Sequence, residues 1–309
     1  QHESNPRPEQ SIVKTSLEKQ TLHCDRMQAM PRPFVYAFYS TILGGTWLAL
    51  FLIGSIPGLS MSGLPQLSNV TFPTLTVVAL SFMAGYTIFM ALVSLFDALK
   101  HADASNVMPI VGSVSAMATF GMSYLFLDAQ LSTNFIYGVI VLSAGTLLVA
   151  QTLPKADVTL HVVHSGLFFA LHAITMKGLF LETSFDDGLF WSRVGFVLFA
   201  LSLLLVPTYL KKITTQTKST NKKTGGLMLG AKLLAGVAAF LLLKATDLGE
   251  VSVVQALDGL KFVFILLITA ICAHWLPSSA TDRDTRPGTI FRKLLFVIVI
   301  MVGFLLLFA

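Results

Sequence analysis

The residues of this chain able to do chemistry are a few polar and ionisable groups set within long apolar stretches. Residues 159–180 read TLHVVHSGLFFALHAITMKGLF and place His161, His164 and His172 on one helical face. A face of neutral imidazoles can carry protons or hold a metal. The plainer reading is an interfacial pair, His161 and His164, with one buried, hydrogen-bonded His172, since no nearby Cys, Asp or Glu cluster completes a metal site. Residues 251–272 carry Gln255, Asp258 and Lys261. There Gln255, Asp258, Phe262 and Thr269 form one stripe, and Asp258 and Lys261, three apart, can pair on the helix. The functional reading makes Gln255 and Asp258 contacts for substrate or protons, with Lys261 biasing the protonation of Asp258. The structural reading is a neutralised packing pair. Between 106 and 126, Asn106, Pro109 and Ser113 share a face. Pro109 removes a backbone donor and frees a carbonyl, which suits a cavity wall or hinge as well as a plain kink.

Two more cations lie in apolar surroundings. Arg193 follows Asp186 and Asp187 by about two turns, a spacing at which those carboxylates could hold it near the outer surface. Lys232 reads as a snorkelling side chain. Trp47, Trp191 and Tyr39 fit an aromatic belt or a stacking surface, the belt being the plainer reading. The chain carries no metalloprotease HExxH, no Gly-rich phosphate loop and no supported Ser/His/Asp grouping. It is therefore read as a non-enzyme, with no cofactor or metal expected and no encoded ATP-driven transport.

The elements that position these groups follow from composition. The chain is 54% hydrophobic and 12% charged, with mean hydropathy +0.74. A soluble domain carries roughly 25% charged residues, so a polytopic, all-α membrane protein is expected, its partner the lipid bilayer. The net charge of +5 belongs to membrane-flanking Lys and Arg; no aromatic-interleaved basic patch makes nucleic acid a partner. Cys24 and Cys272 form neither a disulfide framework nor a metal cage.

Nine segments are apolar enough to span, at about 20 residues for roughly 30 Å of hydrocarbon. They are A to I: about 33–53, 73–98, 106–126, 131–151, 159–180, 189–209, 227–245, 251–272 and 290–308. Each must be helical, because an open strand in lipid leaves its backbone unpaired. The amino-terminal segment, 1–32, is polar and carries no apolar signal-peptide core. With the stretches B–C, D–E, F–G and H–I, counting Arg292 and Lys293 at the edge of I, it holds 16 of the 21 Lys and Arg. The stretches A–B, C–D and E–F hold none. The positive-inside rule thus puts the amino terminus in the cytoplasm, Ala309 outside, and Glu182, Asp186 and Asp187 outside.

One helix–turn–helix unit occurs twice. LKHADASNVMPIVGSVSAMATF, residues 99–120, aligns without gaps on LKATDLGEVSVVQALDGLKFVF, residues 243–264, with Leu, Lys, Asp, Val and Phe matching at five positions. The echo continues from VIVLSAGTLLVA at Val139 to VIVIMVGFLLLF at Val297, after an insertion placed in Ser278–Gly288. Phe38-Tyr39-Ser40 similarly meets Phe190-Trp191-Ser192. A, B, C and D therefore correspond to F, G, H and I, five spans apart, and an odd separation inverts one half relative to the other. This divides the chain into 1–32, a first repeat at 33–151 and a second at 152–309. Segment E has no partner, so an upstream helix belonging to the full gene product is expected.

The polar residues of H (Gln255, Asp258, Lys261) face only Val111, Val114 and Met117 at the equivalent positions of C. The site is therefore expected to be chemically asymmetric.

At Ala98–Pro109 with the Gly145 segment, and at Lys244–Ala256 with Gly303, the chain resembles the EamA-type members of the drug/metabolite transporter superfamily. Segments E and F, SGLFFALHAITMKGLF and FWSRVG, resemble the first hairpin of a half. The resemblance covers about 33–309. It implies a ten-helix fold of two inverted five-helix halves, here without the first helix, in the inner membrane of a bacterium. The acidic residue usual before the last helix of a half is replaced by Asp128 in one half and by the inserted loop in the other. A secondary transporter moving a small metabolite by alternating access is the expectation, as monomer or homodimer. Proton coupling rests on Asp258 and His172, and substrate contacts are sought among Gln255, Asp258, Lys261, His172, Asn106 and Ser113. A scaffold or regulatory protein that keeps the fold without transporting is the alternative.

Overall fold

In the computed structural model the described residues are 33–56, 64–102, 104–127, 132–149, 155–218, 222–261, 264 and 287–308. The segment 1–32, Cys24, Cys272, Asp128, Phe262, Thr269 and most of the expected insertion lie outside them, as does the Lys232 side chain. The described residues form helices α1 (Pro33–Gly54), α2 (Leu75–His101), α3 (Ala104–Phe126), α4 (Thr133–Val149), α5 (Ala156–Glu182) and α6 (Phe185–Leu204). They continue through α7 (Pro207–Lys218), α8 (Lys222–Leu248), α9 (Val251–Leu257) and α10 (Pro287–Phe308). No strand occurs among the described residues.

Five of these helices, α1, α2, α3, α5 and α6, are long and apolar enough to cross a membrane. At 1.5 Å per residue, the 27 residues of α2 or α5 reach about 40 Å. Unlike those of a soluble protein, their outward faces are apolar, and small polar residues are turned inward among apolar ones. On α2 the outward stripe carries Leu75, Val78, Phe82 and Tyr86, all exposed, while the inward face buries Ser81, Ala84, Thr87 and Ser94. Lipid is as apolar as a leucine side chain, so helices associate through close packing of small residues and through interhelical hydrogen bonds. The hydroxyls supply both: Ser165 Oγ donates to the Ala91 carbonyl at 3.0 Å, joining α5 to α2, and Ser113 Oγ donates to the Ser143 carbonyl at 2.7 Å, joining α3 to α4.

Packing centres on α5, which lies against α2 and α3, while α2 also packs on α1 and α6. At the other end of the chain α10 runs along α4, and α9 lies against α3 and α4. The α4–α10 crossing is reciprocal. A Cβ on Gly145 would stand 2.8 Å from Ile300 Cγ1 and 3.2 Å from the Ile300 nitrogen; one on Gly303 would stand 2.7 Å from the Leu142 nitrogen. Each glycine lets its helix approach the other's backbone.

Three elements differ from the sequence expectation. The helix α1 is tightened by a 3-10 turn at Gly45–Leu48, beside the place where Gly45 meets Val197 of α6. The stretch between F and G, which reads as a polar loop, contains the twelve-residue helix α7. Pro207 suits its first position, since an N-terminal residue has no intrahelical partner for its N–H. Ile213 of α7 is buried, and Tyr209 and Lys212 pack on Phe34. Finally, segment H is interrupted: α9 ends at Leu257, Asp258 and Gly259 form a turn, and the chain is helical again at Leu260, Lys261 and Phe264, while the rest of the expected span to 272 lies outside the described residues.

Candidate functional site

The chain is most unusual at Arg193. Ser184 caps α6, accepting from the Asp187 N–H at 3.2 Å. The helix then runs FDDGLFWSRVGFVLF, so Arg193 lies eight residues past Phe185, roughly 12 Å along the axis. The side chain is 8% exposed. Its Nε is buried without a hydrogen-bond partner, and no carboxylate, carbonyl or hydroxyl among the described residues accepts from its guanidinium. What it does touch is the Phe196 ring, with Cζ 4.9 Å from the centroid.

A cleft opens beside this group, lined by Trp47, Leu50, Leu189, Gly236 and Phe240 together with Arg193. Trp47 belongs to the 3-10 turn of α1, and Gly236 and Phe240 to α8, so three helices meet here. A Cβ on Gly236 would fall 1.8 Å from the Trp47 ring. The indole thus occupies the space a side chain would take, which puts Trp47 in a seam between helices. Asp186 and Asp187 do not hold Arg193, although their spacing allows it. The Asp186 carboxylate accepts from the Gln66 N–H at 3.2 Å and from Asn69 Nδ2 at 2.7 Å. Asp187 accepts from the Thr71 N–H at 2.7 Å, Thr71 Oγ1 at 2.9 Å and Thr183 Oγ1 at 3.0 Å. The acidic pair sits at the N-terminus of α6, where the helix dipole favours it, and faces the segment before α2. Trp191 Nε1 donates to the Thr71 carbonyl at 3.1 Å and holds the same segment.

The three histidines of α5 do share one face, and that face lies on α2. His161 Nε2 is 3.2 Å from Asp97 Oδ2, and its Nδ1 lies 2.9 Å from the Asp157 carbonyl. His164 Nδ1 is 3.3 Å from Ser94 Oγ. His172 Nδ1 lies 3.1 Å from the Ala84 carbonyl and 3.3 Å from Thr87 Oγ1. A carbonyl only accepts, so Nδ1 is the donor in each of the two contacts with a carbonyl. The His172 ring packs on Phe196, centroids 5.7 Å apart, and shares that ring with Arg193. The described residues contain no cluster of three or more His, Cys, Asp or Glu able to hold a metal.

The other sequence-derived candidates lie apart. Gln255 is half-buried on α9, and Asp258 and Lys261 form an ion pair at its end with both side chains partly exposed. Gly259 beside them packs on Thr146 of α4. Ser113 is buried and committed to the Ser143 carbonyl. Asn106 is half-buried in the first turn of α3. Among the described residues no hydrogen bond or ion pair joins any of these to His172 or Arg193.

Sequence reasoning missed Lys177. Its Nζ donates to the carbonyls of Thr246 at 3.0 Å, Asp247 at 3.1 Å and Gly249 at 2.9 Å. It thereby caps the C-terminus of α8, where orphan carbonyls and the negative end of the dipole converge. Lys177→Met is expected to cost about 2 kcal/mol, seen as a lower Tm in detergent, with Lys177→Arg recovering part of it. An unchanged Tm for the Met variant would remove the capping role.

These helices, apolar outside and joined through hydroxyls and small residues inside, make the chain an integral, multi-pass, all-α membrane protein. No protein-family model matches it, and no curated protein matches it. A solved structure described only as a crystal structure of a protein aligns with 93% of this chain and 91% of its own, at a TM-score of 0.55 and 16% identity. At that identity the likeness concerns the fold alone.

Proposed function

We propose that the chain is a secondary transporter of the EamA type, moving a small metabolite across a bacterial inner membrane by alternating access. Nine spans arranged as inverted repeats, with Lys and Arg placing the amino terminus inside, complete the reading. The observation that carries it is the α4–α10 contact. Gly145 and Gly303 are equivalent in the two repeats, and so are Leu142 and Ile300, both pairs at the offset of 158. Gly145 abuts Ile300 while Gly303 abuts Leu142. Two copies of one unit related by a two-fold axis make such a contact, in which residue i meets j and j meets i. Inverted repeats that pack this way support a central site opened alternately by rocking one half on the other, with discontinuous helices beside it. The 3-10 break in α1 next to Arg193 supports the same arrangement.

Flux in proteoliposomes tests the proposal. A labelled metabolite library is offered with and without a pH gradient, and at least one solute is expected to cross faster than in empty vesicles. Asp258→Asn with Lys261→Met is expected to reduce that flux at least about tenfold while the protein stays folded, on the premise that intramembrane ionisable groups serve the transport path. If no solute exceeds the empty-vesicle rate, transport is rejected. A folded, fully active double variant instead makes the pair a packing device.

A further inference from the structure

Among the described residues Arg193 meets no carboxylate and no hydrogen-bond acceptor, and a buried charge without one is costly. A guanidinium offers five N–H donors in a planar fork suited to binding a carboxylate in two places at once. Here Nε has no acceptor, and the nearest acidic groups along α6, Asp186 and Asp187, are engaged elsewhere. Among the described residues the guanidinium meets the face of Phe196 in place of an anion. The cleft into which it opens is otherwise apolar and aromatic: Trp47, Leu50, Leu189 and Phe240 form the walls, and Gly236 the floor under the indole. No acidic side chain lines it. An ammonium group in this cleft would find no counter-charge among the described residues, so the charge of the cleft matches a simple anion and not a zwitterion. Trp47 stands in the 3-10 turn of α1, and a short stretch of 3-10 within a longer helix is a place where helices flex.

The geometry points to Arg193 as the anchor for the carboxylate of a transported organic anion, one with an apolar or aromatic body and no amine. This substrate class rests on the transport reading above. Phe196 holds the guanidinium in place, and Trp47, Leu50 and Phe240 pack on the body of the anion. His172, packed on the same Phe196 ring, ties that ring to α2.

Binding to the purified chain in maltoside detergent without anionic lipid tests this, with benzoate as the anion, benzamide as its neutral isostere, and benzylamine and phenylalanine as the cation and the zwitterion. Benzoate is expected to raise Tm in a concentration-dependent way, and the other three to leave it unchanged. Arg193→Met should abolish the benzoate shift while its own ligand-free Tm equals or exceeds that of the native chain, because the uncompensated charge has gone. Arg193→Lys keeps the charge but loses the fork and should bind about tenfold more weakly. The proposal is overturned if benzamide matches benzoate, if benzoate has no effect on the native chain, or if its effect survives in Arg193→Met. A ligand-free Tm that falls in Arg193→Met, with no response to benzoate in the native chain, makes the residue a structural contact of Phe196. Benzoate binding without flux of any solute rejects transport and keeps the anion site. Flux of an amine or neutral solute, unaffected by benzoate and with no benzoate binding, keeps transport and rejects the site.

Discussion

Gly195→Ala is expected to be among the most damaging single methyl groups that can be added to the described residues. A Cβ at that position would stand 2.2 Å from the Ser81 carbonyl oxygen and 2.4 Å from the carbonyl carbon. Both are backbone atoms of α2, so no side chain can rotate away and the two helices must separate. Gly85 shows the same fit from the other helix, where an added methyl would lie 2.9 Å from the Gly195 carbonyl oxygen. Overpacking of a rigid seam costs about 1–3 kcal/mol and sometimes more, and a backbone clash belongs at the upper end, about 3 kcal/mol. Separation of α2 from α6 also displaces Phe196, and with it the contacts of Arg193 and His172. Thermal unfolding in detergent measures the loss. Gly121→Ala and Gly178→Ala serve as controls, because nothing lies within 4 Å of a Cβ at either position. At these two sites the better helix propensity of alanine should leave Tm unchanged or raised. If Gly195→Ala behaves like them, the close α2–α6 crossing is wrong.

The second large effect is expected from Asp187→Ala. The carboxylate is 5% exposed and takes three hydrogen bonds from Thr71 and Thr183. Its removal leaves the Thr71 N–H and two hydroxyls without their acceptor, and hydrogen bonds to a charged group contribute about 1.5–3 kcal/mol. A net loss of about 3 kcal/mol is expected for Ala. Asp187→Asn retains one acceptor oxygen and the size of the group, so about half that loss is expected. Protease susceptibility between residues 64 and 74 should rise with the Ala variant, since Asp187 and Trp191 fasten that stretch to α6. If Tm falls without that rise, the stabilisation acts through the helix terminus alone.

The helices themselves were largely legible in the sequence. Apolar runs of about 20 residues admit one backbone solution in lipid, so the segments from 33 to 204 appear as helices within a few residues of where they were expected. The exceptions have local causes. The 3-10 turn at Gly45–Leu48 answers to Val197, a contact 152 residues away, and the helix α7 is too polar to register as a span. The histidine face was also legible, because helical periodicity alone puts His161, His164 and His172 in line. Its partners Asp97, Ser94, Thr87 and Ala84 were not, since periodicity names a face without naming what covers it.

Arg193 marks the boundary most clearly. A cation in the middle of FWSRVGFVLF could be seen in the sequence, and so could the two carboxylates two turns away; local spacing alone suggested that they pair. In the folded chain those carboxylates meet Gln66, Asn69 and Thr71, which are more than a hundred residues distant. By itself, then, the sequence determined that this is a helical membrane protein, which segments are apolar and which residues share a helical face, because these follow from lipid exclusion of unpaired backbone and from the 3.6-residue repeat. The tertiary structure decided which face meets which. It left Ser113 bonded to a carbonyl, Asp258 paired with Lys261, and Arg193 facing an apolar cleft, because pairing among buried polar groups depends on contacts between helices that no local pattern encodes.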